Sequence, residues 1–332
     1  MRNLLDKALK KCDAAELFKK EEYQLSLGLI QGKVQGVTGK NTTEIALRLI
    51  KDNNMGSAVS TSTNDESIID RALISNRYQK CEAIEFASKK PEKISCFDPR
   101  VKNLTTEEMI YEGQKIINVF AKLSQDIIPD IHIVKNVKNT QITNSNGFDY
   151  SYDSTNYALS ISTRTSKGFT EVHKYIEAAD FRSFSEAEIE NIIHEHKISQ
   201  NRIHIKTDKI PVIFSGKAMG SLMLRLLSGV KGENIVKKIS PLHDKLNHQI
   251  FADGVTIKDN GRLEMGLRSC PFDDEGYSTN DTTLVENGVL KNYLVGYSDG
   301  KKLGLKLLET VLKERFFLRI LRMPLPLILP IC

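Results

Sequence analysis

The stretch HEHKISQNRIH, residues 194–204, has the composition of a metal site, because it holds three histidines and a glutamate. A zinc peptidase helix needs HExxH or the longer HExxxH, with both histidines on one face. Position 198 is Ile and position 199 is Ser, so both motifs are incomplete. On a helix, His194 and His196 are about 200° apart and point to opposite sides. We therefore expect solvated histidines at a helix C-terminus, where the partial negative charge favours them.

The stretch SGKAMGS, residues 215–221, superficially resembles a phosphate-binding loop. Walker A needs a glycine where Pro211 stands and a Ser or Thr where Ala218 stands, so a core helix is the better interpretation. The chain also lacks GxGxxG and GxSxG, which leaves dinucleotide-binding and α/β-hydrolase chemistry without a motif.

Three consecutive carboxylates, Asp273, Asp274 and Glu275, follow Phe272 and precede Gly276. Adjacent carboxylates repel one another unless they are solvated, hydrogen-bonded or near a cation. The residues alone leave two interpretations open, an exposed acidic turn or a functional site.

The net charge of +5 does not indicate a nucleic-acid binder. Residues 301–332 hold seven Lys or Arg and two Glu, which leaves 40 charges of each sign in residues 1–300. A nucleic-acid protein concentrates positive charge on a folded face. We therefore expect no direct nucleic-acid partner.

The composition of the N-terminus and the pattern of the cysteines predict a cytoplasmic protein. Charges interrupt every apolar run near the N-terminus, so no secretory signal is expected, and no run is long enough for a membrane span. The scattered cysteines form no CxxC pair, which is typical of reduced thiols. They are Cys12, Cys81, Cys96, Cys270 and Cys332.

Grouped strand patterns predict an α+β fold for the first half of the chain. We expect an opening helix over residues 2–20, then an antiparallel meander of about four strands that begins with a hairpin at Gln31-Gly32-Lys33. A helix follows at 64–78, and a second helix is expected to begin near Thr105 or Thr106, one of which would be its cap. Further strands follow this helix. The predicted strand runs are YQLSLGLI, KVQGVTGK, TEIALRLI, SAVSTST, DIHIVKNVK, NTQITNSNG, NYALSISTRT and TEVHKYIEAA.

A capping box of Ser185 and Glu188 predicts the helix that carries HEHK. Beyond it we expect a buried strand, IPVIFS, an amphipathic helix from Ser215 to Val230, and a type I′ hairpin at Asn287-Gly288. The predicted organisation is an α+β first domain (1–185), a connecting helix and linker (186–209), a partial β-rich second domain (210–304) and a divergent tail (305–332).

The segment from Gly266 to Gly304 closely resembles the signature of the TldD/PmbA family, also called modulators of DNA gyrase. The matching elements are FDDEG (272–276), ENGVLK (286–291), Tyr293-Leu294 and Lys302–Gly304. IPVIFSGKAMGSLM and LLSGVKGE resemble the segment that precedes the signature. The N-terminal part, from the opening helix through LSLGLIQGKVQGV to ALRLIKDNNMGSAVST, resembles the first domain of the family, and GFDYSYDSTNYALSIS (147–162) resembles its middle strands. The resemblance covers residues 1 to about 304.

This resemblance implies one of two branches of a heteromeric metallopeptidase. The TldD-like branch carries HExxxH on the helix after the PV strand, and the PmbA/TldE branch lacks it. That helix places Leu224, Arg225 and Gly229 where His, Glu and His would stand. None of these side chains can hold zinc or act as a base. The resemblance therefore implies a non-metal subunit, with zinc in a TldD-like partner and extended peptides as substrates.

The tail LKLLETVLKERFFLRILRMPLPLILPIC departs from the family, which continues with further strands. We expect a frameshift or premature end, and the alternative is a divergent short member whose tail helix docks on a partner.

Three alternative functions also remain open at this point. They are an active zinc metallopeptidase that uses His194, His196, His204 or His243, a protein that binds gyrase or toxin–antitoxin partners, and a non-functional remnant. Within the family reading, Asp273, Asp274, Glu275, Gly276, Asn287 and Gly288 are the candidate peptide or interface residues.

Overall fold

The computed structural model describes residues 1–78, 85–165, 170–201, 203–204, 206–305 and 328–329. Cys81, Cys332 and the tail beyond Leu305, apart from the pair 328–329, lie outside these residues. In the described part of the chain, no helix combines the length and the apolar character that a membrane span requires.

A six-stranded antiparallel sheet organises the first half of the chain, in the order β3-β2-β1-β4-β5-β6. Its strands are β1 (Ala14–Ile30), β2 (Lys33–Lys51), β3 (Asn54–Ser60), β4 (Ile127–Asn144), β5 (Asp149–Thr165) and β6 (Thr170–Ala178). The hairpin turn at Gln31-Gly32 is confirmed, since both residues have positive φ angles, 53° and 75°.

Two expectations about this sheet are wrong. The opening helix α1 (Arg2–Leu9) does not extend to residue 20, because Ala15 and Leu17 alternate with Glu16 and enter β1. The predicted runs KVQGVTGK and TEIALRLI form one strand, β2, so the meander of residues 14–60 has three strands. Gly36, Gly39 and Asn41 belong to residue types that are depleted in strands. They nevertheless form part of β2, because β2 pairs with β1 along this whole length.

Helices cover one face of the sheet, on the side of Leu17, Leu27 and the other odd-numbered residues of β1. They are α1, α2 (Ser67–Asn76), α3 (Pro99–Asn103), α4 (Thr106–Leu123) and α5 (Glu186–Ser199). Leu4, Ala8 and Ile68 pack on Leu17 and Leu47, while Met109, Phe120 and Ile192 pack on Leu27 and Leu159. Both predicted capping boxes are present, Thr105 with Glu108 and Ser185 with Glu188.

The described part of the second half contains a smaller sheet, β10-β9-β8, together with three helices. Its elements are β7 (Val212–Ile213), α6 (Gly216–Val230), α7 (Gly232–Val236), β8 (Ile257–Asn260), β9 (Asp281–Glu286), β10 (Val289–Leu290), α8 (Tyr297–Leu303) and β11 (Ile328–Leu329), which pairs with β7. The α+β class is therefore confirmed. The expected buried strand IPVIFS is wrong, because only two of its residues form a strand and Ile213 is 68% exposed.

Candidate functional site

The helix α6 is the place to test for a metal, because positions 224, 225 and 229 lie on it. Leu224 and Arg225 are exposed, and a Cβ added to Gly229 would lie 3.1 Å from Leu242 Cδ1. An aliphatic side chain and a hydrogen provide no metal donor, and a guanidinium remains protonated. The residues present on α6 therefore do not fit a zinc ion.

The histidines of the opening stretch do not form a metal site either. His194 and His196 point to opposite sides of α5, as predicted, but only His194 is exposed. His196 is fully buried, and its Nδ1 lies 2.7 Å from Thr163 Oγ1 of β5. The expectation that both are solvated is wrong, because the helix places His196 against the sheet. Among the described residues, no three His, Cys, Asp or Glu side chains are gathered to hold a metal, so His204 and His243 do not complete a site.

The acidic loop, defined as residues 272–277, lies against the face of the six-stranded sheet that carries no helices. Phe272 is 1% exposed, and its ring makes edge-to-face contacts with Phe148 and Tyr152 at centroid distances of 5.4 and 5.0 Å. Gly276 has a φ of +82°, and an added Cβ would lie 3.0 Å from Ala87 Cβ. The loop therefore joins the two halves of the chain through close packing that only glycine permits at this position.

The three carboxylates differ in environment. Asp274 is exposed, whereas Asp273 and Glu275 are buried, with 7% and 8% exposure. Asp273 Oδ1 accepts hydrogen bonds from the backbone N–H groups of Glu275 and Tyr277, at 2.9 and 3.0 Å. Asp273 Oδ2 is buried and has no hydrogen-bond partner in the described part of the chain. The interpretation of a fully exposed acidic turn is thus wrong for two of the three residues.

Burial raises the pKa of Asp273 to about 7, and the neighbouring carboxylates of Glu275 and Asp274 raise it as well. The two backbone N–H donors act in the opposite direction, because they stabilise the anion. The balance places the titration of this carboxyl near neutral pH.

Arg48 on β2 connects the acidic loop to the sheet. Its guanidinium pairs with the fully buried carboxylate of Glu16, the residue opposite it on β1. A guanidinium nitrogen also lies 3.4 Å from the backbone oxygen of Asp274, and another lies 3.8 Å from Glu275 Oε1. Asn144 of β4 donates to Glu16 Oε2 at 3.2 Å. The fully buried carboxylate of Glu16 and the partly buried guanidinium of Arg48 therefore form an ion pair that contacts the acidic loop.

Electrostatics keep Arg48 charged at this position. Burial lowers the pKa of Arg48, but Glu16, followed by Glu275 and Asp273, more than offsets this, and the pKa is raised overall. Sequence reasoning missed both Arg48 and Glu16. Each of them interrupts an apolar run, Glu16 in AAELF and Arg48 in IALRLI. A single charged residue within an apolar strand was the signal that the sequence offered.

Two tyrosines extend the site on the side of α8. The rings of Tyr277 and Tyr297 are stacked, with centroids 5.7 Å apart and planes inclined by 6°. Tyr277 donates to the backbone oxygen of Glu85 at 2.7 Å, and Tyr297 donates to the Glu85 carboxylate at 3.1 Å. Two residues of the second half of the chain thus contact the same residue of the first half, Glu85.

The predicted turn Asn287-Gly288 has positive φ at both residues, 47° and 80°, as a type I′ hairpin requires. Its close contacts are with residues 249–256, since Gly288 N–H donates to Val255 O at 2.7 Å and Gly288 O accepts from the N–H groups of Ile250 and Phe251. The structure gives this turn a packing role in the second half of the chain, and its contacts are not with the acidic loop.

Two cavities border these elements. One of about 340 Å³ opens beside Phe272 and is lined in part by Lys90, Lys93, Tyr150 and Tyr152. The other, of about 590 Å³, is apolar and lies along α6, next to Met219, Met223, Leu242 and Phe251. Only the first adjoins the acidic loop.

Comparison with models of known protein families identifies the family of this chain. Two family models match the chain, the PmbA/TldA metallopeptidase C-terminal domain over residues 207–312 and the PmbA/TldA metallopeptidase domain 1 over residues 15–75. The acidic loop, Arg48 and Glu16 all lie within these matches. The chain belongs to the PmbA/TldD family.

Relatives of this family agree in sequence over parts of their length. The chain is 29% identical to the uncharacterised protein MJ0231 of Methanocaldococcus jannaschii over 82% of this chain and 65% of that protein. It is 31% identical to the metalloprotease PmbA homologue of Haemophilus influenzae over 49% of this chain and 37% of that protein. The chain therefore spans less than two thirds of the length of either relative.

The same fold occurs in solved structures. TldE from Thermococcus kodakarensis superimposes with a TM-score of 0.84 and 19% identity, over 93% of this chain and 72% of that one. A proposed modulator of a DNA gyrase from Thermotoga maritima gives a TM-score of 0.82 and 24% identity, over 93% of this chain and 74% of that one. These likenesses confirm the fold that the sequence resemblance predicted.

Proposed function

We propose that the chain is a PmbA/TldE-like, metal-free subunit that acts with a TldD-like zinc subunit in the processing of peptides. The observation that carries this proposal is the chemistry of α6, where Leu224, Arg225 and Gly229 supply neither a zinc ligand nor a base. Hydrolysis by zinc also needs a polarised water, which this helix cannot hold in place. The remaining role in such a complex is to hold peptide and partner.

Free backbone at a sheet edge supports binding of extended peptides. Residues 33–40 of β2 are exposed, and β3 pairs only with Ile45–Lys51 of the same strand. In the described part of the chain, residues 33–40 therefore have β1 on one side and no strand on the other. Backbone hydrogen bonds at such an edge bind a peptide strand with little demand on its sequence.

The outer edge of β3 is less suitable, because side chains of α2 occupy it. Ser75 Oγ accepts from Ser57 N–H at 2.7 Å and donates to Ser57 O at 2.8 Å. Arg71 donates to Val59 O at 3.0 Å. An incoming strand would have to displace these bonds, so the edge of β2 is the better candidate.

The acidic loop is the second element of the proposal, as a group of interface or pocket-lining residues. Asp274 is exposed, and the cavity of about 340 Å³ lies beside Phe272. Cys12, Cys96 and Cys270 are not in disulfide bonds among the described residues, and the cytoplasmic location stays an expectation from the sequence.

Reconstitution with a TldD-like chain that carries HExxxH tests the proposal. We expect the pair to cleave an unstructured peptide, while this chain alone does not. The triple variant Asp273→Asn, Asp274→Asn, Glu275→Gln should lose processing or assembly, and Glu190→Gln, which removes a charge from the exposed face of α5, should not. Unchanged processing and assembly in the triple variant would remove the acidic loop from the proposal.

The same preparation separates the alternatives. Stoichiometric zinc in this chain, lost on His→Ala substitution, would support a metallopeptidase in its own right. A pull-down that retains gyrase but no TldD-like chain would support a gyrase-binding role. Absence of a cooperative thermal transition would support a non-functional remnant.

A further inference from the structure

The carboxyl of Asp273 has a geometry that the proposed peptide role does not explain. One oxygen accepts two backbone hydrogen bonds, and the other is buried without a partner among the described residues. Buried polar atoms in proteins are paired in the large majority of cases, because an unpaired one keeps its full desolvation cost. An anion at this position is therefore poorly accommodated.

Close packing on both sides of Asp273 holds the acidic loop on the sheet. Phe272 is packed between the rings of Phe148 and Tyr152, and Gly276 leaves no room for a Cβ beside Ala87. Asp273 lies between these two anchors in the sequence. Movement of the loop away from the sheet would expose its oxygen Oδ2 to water.

The surrounding charges add to this strain when Asp273 is ionised. The titratable and charged groups packed around the loop are Glu16 of β1, Arg48 of β2, Glu85, Tyr152 of β5, Asp274, Glu275, Tyr277 and Tyr297. Arg48 is engaged by the buried carboxylate of Glu16, and Glu275 Oε1 is 3.8 Å from it. An ionised Asp273 adds a further negative charge beside Asp274 and Glu275.

We propose that Asp273 is a proton-operated latch between the acidic loop and the six-stranded sheet. While the carboxyl carries a proton, the loop is seated on the sheet, and when the proton leaves, the loop loosens from Phe148 and Ala87. Because the pKa of Asp273 lies at about 7, the latch changes state across neutral pH. This inference rests on the geometry of the loop and is independent of the proposed subunit role.

Hydrogen exchange of the full chain, measured by mass spectrometry from pH 5 to pH 9, tests the latch. Protection factors, corrected for the intrinsic pH dependence of exchange, should fall about tenfold in residues 270–278 between pH 6 and pH 8.5, as expected for release of a proton with a pKa of about 7. The midpoint should lie within about one unit of pH 7. A flat profile in the unsubstituted chain would overturn the proposal without any variant.

Two substitutions in the same loop supply the matched comparison. Asp273→Asn removes the titrating group while it keeps the shape of the side chain, so its protection factors should be equal at both pH values. Asp274→Asn removes an equal charge from an exposed position and should keep a pH-dependent change, with a midpoint at lower pH because the Asp274 carboxylate raises the pKa of Asp273. Persistence of the pH dependence in Asp273→Asn, with far-UV circular dichroism showing a folded chain, would contradict the latch.

Discussion

Replacement of Arg48 by Met should severely destabilise the fold, because it leaves the Glu16 carboxylate buried without its cation. Glu16 has no exposed side-chain surface, and its other side-chain partner is Asn144. Breaking a buried ion pair by removal of one member costs about 3–5 kcal/mol, whereas removal of both charges is often nearly neutral. We expect a loss in this range for Arg48→Met and recovery of most of it in the double variant Glu16→Gln, Arg48→Met.

Urea unfolding of the full chain, followed by far-UV circular dichroism, measures this effect. Since a folded domain is stable by only about 5–15 kcal/mol, a loss of this size shifts the urea midpoint strongly. Arg182→Met is the matched control, because Arg182 pairs with Asp180 at 3.1 Å on the surface, and we expect only a small shift. A shift in Arg48→Met no larger than that in Arg182→Met, or a double variant as unstable as the single one, would refute the reasoning.

Three further predictions concern stability. The folded chain holds the Asp273 proton up to about pH 7, whereas the unfolded chain releases it near pH 4. The free energy of unfolding should therefore fall as pH rises through this window, by on the order of 4 kcal/mol at most. Urea midpoints at pH 5 and pH 8 should show this decline in the unsubstituted chain and a smaller one in Asp273→Asn. Gly276→Ala should cost about 1–3 kcal/mol more than Gly147→Ala, since both glycines have positive φ but only Gly276 has a neighbour within 4 Å of an added Cβ; equal thermal shifts would contradict this. Thr105→Ala should cost about 1 kcal/mol through loss of the α4 cap, again by urea unfolding, and an unchanged midpoint would show that the cap does not contribute.

Features set by neighbours in the sequence were predictable. The capping boxes at Thr105 and Ser185 depend on residues three positions apart, and the turns at Gln31 and Asn287 depend on one glycine each. The signature around Phe272 was sufficient to predict the family, which the family models confirm.

Features set by distant residues were missed. His196 is buried because α5 packs it on Thr163, which lies 33 residues earlier, and Arg48 meets Glu16 across a hairpin. Asp273 is buried because the loop packs on Ala87 and Phe148 of the other half of the chain. The prediction of two separate strands from local composition was also wrong for β2, because pairing with β1 stabilises its glycine-rich segment as part of one continuous strand.

Metal analysis of the reconstituted pair, combined with a peptide-cleavage assay, decides whether α6 of this chain lacks a catalytic zinc site. We predict that zinc is found only in the TldD-like chain, and that cleavage is lost when the histidines of that partner are replaced while Leu224→Ala and Arg225→Ala in this chain leave the zinc content unchanged. Stoichiometric zinc in this chain alone, together with cleavage in the absence of any partner, would contradict the assignment.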